Sequence, residues 1–301
     1  MKLTILGCYA ATPRTFTNPT SQVLQINGHL FLIDCGEGTQ VELRRNKIKF
    51  SRIKHVFISH LHGDHCFGLV GLISTFRLLN RETELHVYGP KGIKQIITLQ
   101  LKLSKSWTNY PLYFHELESN GPELIFEDDK ISVETIPLNH RIYTNGFLFK
   151  EKIGPRKLLI NEALNHNIDV SLYQSVKMGK DVISNDGKKI PNNLVTEDPD
   201  PPKSYAFCSD TAYYPEIIPQ IKNTTVLYHE STFMEANEEL AAPTKHSTAK
   251  QAALIAKEAN VGKLILGHFS TRYNGIQGFQ EEAISIFPEV ELADDGKIFT
   301  F

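Results

Sequence analysis

The chain has 301 residues, 41% of them hydrophobic and 22% charged, with a formal net charge of −2. Such usage supports a sizeable core, in one large domain or two small ones. It excludes a uniformly basic nucleic-acid binder, so a polyanion would have to be met by a local patch.

Met1 to Gly7 reads as an apolar strand, Gln22 to Ile26 alternates, and His29 to Ile33 runs into the turn Asp34-Cys35-Gly36-Glu37-Gly38. Ile53 to Ser59 is β-branched and apolar enough for a buried strand, and it delivers a histidine cluster. Gly68 to Asn80 has helical spacing, Leu85 to Tyr88 is a short strand, and a helix is expected from Gly92 to Ser104. Further strands end near polar residues: Lys130 to Leu138 before His140, Ser204 to Ser209 at Asp210, Thr225 to Tyr228 at His229-Glu230, and Lys263 to Leu266 before His268. Thr248 to Asn260 is an alanine-rich helix, opened by Ser247 or Thr248 as N-cap. Residues 150–202 differ, with isolated apolar positions, an Asn185-Asp186-Gly187 turn and a proline cluster. Between Lys150 and Lys189 stand eight basic and five acidic residues, a balance of +3. This segment reads as an inserted arm.

Cys8, Cys35, Cys66 and Cys208 form no CxxC pair, a usage that suits a reducing compartment. Leu6-Gly7-Cys8 imitates a lipoprotein cleavage site, but the apolar stretch before it, Leu3 to Leu6, is too short for a signal peptide. No apolar run approaches the length of a membrane span. A soluble, cytoplasmic protein without membrane contact is expected.

Catalytic zinc prefers imidazole and carboxylate ligands and keeps a position open for water. His60 and His62, two apart in an extended segment, point to one side. Asp64 and His65 follow Gly63, where the chain can turn toward a second ion. Remaining ligands must come from later strand ends, where His140, Asp210 and His268 stand. A carboxylate can bridge two ions, which suits Asp210. His29, His55, His86, His115 and His166 lack this setting and read as ordinary histidines.

The run His60-Leu61-His62-Gly63-Asp64-His65 after an apolar strand, preceded by the Asp34 to Gly38 turn, resembles the metallo-β-lactamase superfamily over nearly the whole chain. That resemblance implies an α/β fold of the αββα kind, with two mixed β-sheets face to face and helices outside, in a single domain over residues 1–301. It implies two Zn2+ ions, with Mn2+ as the alternative metal: His60, His62 and His140 on the first, Asp64, His65 and His268 on the second, Asp210 bridging. A cysteine at the bridging position would favour a β-lactamase; aspartate argues against one.

His229-Glu230-Ser231-Thr232, His246-Ser247-Thr248, Ser209-Asp210-Thr211 and His268-Phe269-Ser270-Thr271-Arg272-Tyr273 resemble the motifs of ribonuclease Z. The resemblance implies a zinc-dependent endoribonuclease, acting as a homodimer, that removes the 3′ trailer from precursor tRNA. It leaves a 3′-hydroxyl on the tRNA and a 5′-phosphate on the trailer. The arm of residues 150–202 would grip the tRNA. Asp64 would orient or deprotonate the nucleophile as well as bind metal. His246 would protonate the departing oxygen, with Glu230 accepting from its other nitrogen and raising its pKa. Arg272 and Tyr273 are candidates for a phosphate contact and a base stack.

Two departures from the family pattern stand out. Its PxKxRN loop is here Pro13-Arg14-Thr15-Phe16-Thr17-Asn18, where Arg14 is placed to supply one lost charge. The arm has Asn167-Ile168-Asp169-Val170-Ser171 where the family has a Gly-Pro-rich tip. The competing reading is a superfamily hydrolase of small substrates, of phosphodiesterase, arylsulfatase or lactonase type.

Overall fold

In the strand His29–Ile33 the apolar side chains divide by parity: Leu30 and Leu32 join one buried cluster, Phe31 and Ile33 another. A strand covered on both faces needs such a continuous apolar run. The structure, a computed structural model, describes residues 1–12 and 14–301. In chain order the strands are β1 Lys2–Gly7, β2 Ser21–Ile26, β3 His29–Ile33, β4 Ile53–Phe57, β5 Leu85–Pro90, β6 Leu112–Leu117, β7 Leu124–Glu127, β8 Ile131–Pro137 and β9 Asn145–Glu151. The short β10 Lys157–Leu158, β11 Val182–Ile183, β12 Lys189–Ile190 and β13 Thr196–Glu197 follow. The last are β14 Ser204–Cys208, β15 Val226–Glu230, β16 Leu264–Gly267, β17 Val290–Leu292 and β18 Ile298–Thr300.

Two seven-stranded sheets result, ordered β18-β1-β2-β3-β4-β5-β6 and β17-β16-β15-β14-β9-β8-β7. Each is antiparallel in one half and parallel in the other. They meet through aromatic side chains: Phe149 of β9 lies 5.3 Å, ring centre to ring centre, from both Phe31 and Phe57 of the opposite sheet. Helices Gly68–Leu78 and Ile93–Leu103 cover the outer face of the first sheet with Leu69, Leu72, Ile73, Phe76, Ile93 and Ile97. On the second sheet the helix Ala249–Glu258 buries Ala252, Ala253 and Ala256. Its first turn is closed by a capping box between Thr248 and Gln251, in which each backbone N–H is met by the other's side chain. This is the mixed two-sheet sandwich that the sequence leads one to expect. Truncating fully buried Phe149 to alanine should cost about 3–5 kcal/mol, read as a lower urea midpoint at unchanged slope.

Parallel pairing fixes where the chemistry sits. Because β14, β15 and β16 run the same way, their C-terminal ends share one edge, and Asp210, Glu230 and His268 emerge there together. The turn after β4 brings His60 to His65 to that edge from the other sheet. Asp34, Asp210 and His268 have φ of 55°, 22° and 59°. Non-glycine residues in this region are strained, and such strain concentrates at functional sites.

Residues 156–200, inserted between the paired strands β9 and β14, form a small unit with its own core of Ala163, Ile168, Val176, Val182, Ile190 and Val195. Among the described residues, the hydrogen bonds and ion pairs of this segment close within it. Its charge differs from the window reading of +3. Arg156, Lys157, Lys177, Lys180, Lys188 and Lys189 face seven acidic residues (Glu162, Asp169, Asp181, Asp186, Glu197, Asp198, Asp200). Lys150 and Lys152, counted with the arm from sequence, belong to the sheet side and pair with Glu134 and Glu127. Arg156, Lys157 and Lys189 pair with Asp198, Asp200 and Asp181. Lys177, Lys180 and Lys188 are left without an ion pair among the described residues. No helix among the described residues is long and apolar enough to cross a membrane. All four cysteines are free and buried.

Candidate metal centre

The ligand-bearing turn is seated by glycine. A Cβ on Gly68 would lie 2.0 Å from the Gly36 carbonyl, and one on Gly36 would lie 2.5 Å from that of Asp64. The Asp34 to Gly38 turn therefore packs directly on the helical turn Gly63–Cys66. Cys35 N–H donates to the His65 carbonyl, and Gly68 N–H to that of Cys35.

Seven side chains converge. One ligand atom each from His60, His62, His140 and Asp210 lies within 4.8 Å of the others, and the same holds for Asp64, His65 and His268. Asp210 divides its oxygens between the groups. Oδ1 is 3.4 Å from His65 Nε2 and 3.2 Å from His268 Nε2; Oδ2 is 3.6 Å from His60 Nε2 and 3.8 Å from His140 Nε2. Asp64 Oδ2 stands 3.5 Å from His65 Nε2 and 3.7 Å from His268 Nε2.

Surrounding residues decide which nitrogen faces inward. His65 Nδ1 lies 2.7 Å from Asp34 Oδ2, which also accepts the Ser59 hydroxyl while Oδ1 accepts the Ser59 N–H. His60 Nδ1 meets Ser59 Oγ at 3.0 Å, His140 Nδ1 the Lys245 carbonyl at 3.0 Å, and His268 Nδ1 Thr232 Oγ1 at 2.9 Å. Donating Nδ1–H outward leaves Nε2 as a bare lone pair. Among the described residues, Nε2 of His65, His140 and His268 is buried without a hydrogen-bond partner. Lone pairs facing carboxylate oxygens repel unless a cation lies between them. The donor set of imidazole and carboxylate therefore fits divalent ions of the zinc kind.

Beside the cluster, Glu230 is fully buried yet fully satisfied. It accepts the N–H groups of Thr211 and Thr232, the Thr232 hydroxyl, and His246 Nδ1 at 2.7 Å. Burial alone would lower the His246 pKa, but the Glu230 carboxylate outweighs it and lifts it to about 9. An Nε2 or Nδ1 of His246 also comes within 4.8 Å of Asp210 and His268 ligand atoms, so proximity alone would admit a ligand role. Its commitment to Glu230 favours a proton-handling role instead.

Ala11 N–H donates to Asp64 Oδ2 at 2.9 Å, which lays the N-terminal loop against the cluster. Pro13 of that loop lies outside the described residues. Arg14 donates to the Tyr273 carbonyl at 3.2 Å. The Arg272 guanidinium sits 5.2 Å over Phe233. Tyr273 donates its hydroxyl to Asn237 and packs its ring edgewise on Phe279, so it is held by the protein rather than offered flat to solvent. Sequence reasoning missed Asp34, Ser59, Thr232, Arg141 and Lys245. Asp34 ends an apolar strand, the same signal that marked Asp210. Arg141 follows His140, is exposed, and has no ion-pair partner among the described residues; burial chiefly lowers the pKa of His62, and the Arg141 charge adds to that lowering and opposes the lift on His246.

Residues 1–175 match the family model described as Anti-Pycsar protein Apyc1. Ribonuclease Z of Bacteroides thetaiotaomicron is 46% identical over 299 residues, covering 99% of this chain and 95% of that protein. The chain belongs to the ribonuclease Z family. The crystal structure of the short form of human tRNase Z superimposes with a TM-score of 0.74 at 27% identity, covering 100% of this chain and 99% of that one. The metallo-β-lactamase fold protein YhfI of Bacillus subtilis has a TM-score of 0.68 at 18% identity, covering 99% and 98%, and is alike in fold. Likeness to ribonuclease Z runs past residue 175, through Asp210, Glu230, His246 and His268.

Proposed function

We propose that the chain is a zinc-dependent endoribonuclease that removes the 3′ trailer from precursor tRNA, leaving a 3′-hydroxyl on the tRNA and a 5′-phosphate on the trailer. The observation that carries this reading is Asp210 dividing its two oxygens between two ligand groups, with the Glu230–His246 pair beside them. His60, His62 and His140 would hold one ion, Asp64, His65 and His268 the other, and Asp210 both. Bound divalent ions supply Lewis acidity, lowering the pKa of water and stabilising charge on the phosphoryl oxygens.

The protein's own groups do the rest. Asp64 orients the attacking water. His246 gives its proton to the departing 3′ oxygen, and Glu230 keeps that proton in place at neutral pH. Arg141 and Arg272 offer guanidinium groups to phosphates at the cluster's rim, and Arg14 and Tyr273 hold the two loops that frame it. Residues 156–200 meet the RNA body through Lys177, Lys180 and Lys188, with exposed Ile160, Leu164, Val170 and Met178 beside them. A homodimer is supported by the exposed Leu78, Leu79, Leu99, Leu103 and Trp107 on and after the two helices of the first sheet. The four buried free cysteines agree with a cytoplasmic setting.

Comparing precursor tRNA with bis(p-nitrophenyl) phosphate separates this reading from a small-substrate hydrolase. Cleavage of the RNA is expected to dominate, whereas turnover of the diester alone would favour the small-substrate class. Excising residues 156–200 should lower kcat/KM on precursor tRNA about tenfold or more through lost phosphate contacts. The small diester should be spared; equal loss on both substrates would count against an RNA-gripping arm.

A further inference from the structure

The loop that carries His140 and the turn that carries His246 are joined by one residue. Lys245 accepts the His140 Nδ1–H on its carbonyl at 3.0 Å. Its ammonium donates back to the His140 carbonyl at 3.2 Å and to Asn139 Oδ1 at 3.1 Å. It pairs with no carboxylate among the described residues, so its charge is directed at main-chain and amide oxygens.

The backbone of Lys245 is shaped for this. It ends the helix Glu238–Thr244 at φ 55° and ψ 53°, a left-handed conformation that turns the chain back toward the cluster. His246 N–H closes the turn on the Ala241 carbonyl. The loop it grips is tied to the bridging carboxylate's segment as well: Asn139 N–H donates to Thr211 Oγ1, and Ala212 N–H to the Asn139 carbonyl.

We propose that Lys245 is a positioning residue for one half of the metal centre. Its carbonyl sets the His140 tautomer, so that the Nε2 lone pair faces Asp210, and its ammonium holds the Asn139–His140 loop in register with His246. The inference rests on the two-metal reading. It also has a one-sided consequence. His65 is fixed by Asp34 and His268 by Thr232, independently of Lys245. Only the ion at His60, His62 and His140 should feel its loss.

The test is a Zn2+ titration of the full chain against a competing chelator. Wild type is expected to take up two ions. Lys245→Met, which keeps the carbonyl and the aliphatic stem, should weaken one ion by about 10–100-fold, the usual effect of losing a group that supports a ligand. The other ion should stay within about twofold, and Lys245→Arg should recover most of the loss because it keeps the charge. Circular dichroism in chelator checks the fold. Should Lys245→Met fail to fold, Asn139→Ala removes one ammonium acceptor and should give the same one-sided weakening. Unchanged titration of the folded variants, or equal weakening of both ions, overturns the positioning role. A wild-type chain that takes up no Zn2+ overturns the two-metal reading, and this inference with it.

Discussion

Asp210→Ala is expected to lower turnover of precursor tRNA by at least about 10³-fold, equivalent to roughly 4 kcal/mol of transition-state stabilisation. Bound metal should fall from about two ions per chain to fewer than one. The reason lies in the division of its carboxylate. Oδ1 serves His65 and His268, and Oδ2 serves His60 and His140. Removing it leaves five imidazoles and Asp64 with no carboxylate shared between the two groups, so both ions lose a ligand at once. Asp34→Ala is the informative contrast. It leaves every proposed ligand in place but frees the His65 ring and Ser59, which meets His60 Nδ1, so the drop in affinity should be the smaller one, about 10–100-fold. Retention of two ions and near-normal turnover in Asp210→Ala would show that the carboxylate is not shared.

His246→Ala should reduce kcat by about 10²–10⁴-fold, the range for a positioned general acid, while metal content stays at the wild-type level. That separation matters because His246 lies near Asp210 and His268 as well as Glu230. Loss of metal would make it a ligand. The pH profile gives a second readout. A general acid must be protonated, and His246 has its pKa lifted to about 9 against the effect of burial, chiefly by Glu230. Activity should therefore fall on the alkaline side as the imidazole loses its proton. Glu230→Gln takes away the charge responsible for the lift, so the alkaline limb should move to lower pH. The same linkage acts on stability. A raised histidine pKa stabilises the fold below the unfolded value of about 6.5 and ceases to do so as pH rises through the folded value.

Much of this was readable from the chain because strand ends are simple signals. An apolar run stopping at His60, Asp210, Glu230 or His268 shows both that a strand is buried and that a polar group waits at its end. Some residues that act through others leave no such mark. Thr232 and Lys245 look like ordinary turn residues until the His268 and His140 rings are seen donating to them. Strand β9 was hidden because Asn145 and Gly146 weaken its β signal, although its Phe147 and Phe149 fill the inter-sheet core. Strand β18 draws its place from pairing with β1 at the far end of the chain, which no local pattern reports. The arm shows a different limit. Its location was plain from composition, but its charge depended on where it begins, and Lys150 and Lys152 turned out to neutralise the neighbouring sheet rather than to serve the arm.

Which bond is cut is tested most directly by mapping both ends of the product on a precursor tRNA. With Zn2+ or Mn2+ present, the expected products are a tRNA ending in a 3′-hydroxyl at the discriminator base and a trailer beginning with a 5′-phosphate, neither formed in the presence of chelator. A tRNA fragment ending in a 2′,3′-cyclic phosphate would contradict metal-dependent trailer removal, as would an intact precursor under conditions where bis(p-nitrophenyl) phosphate is turned over.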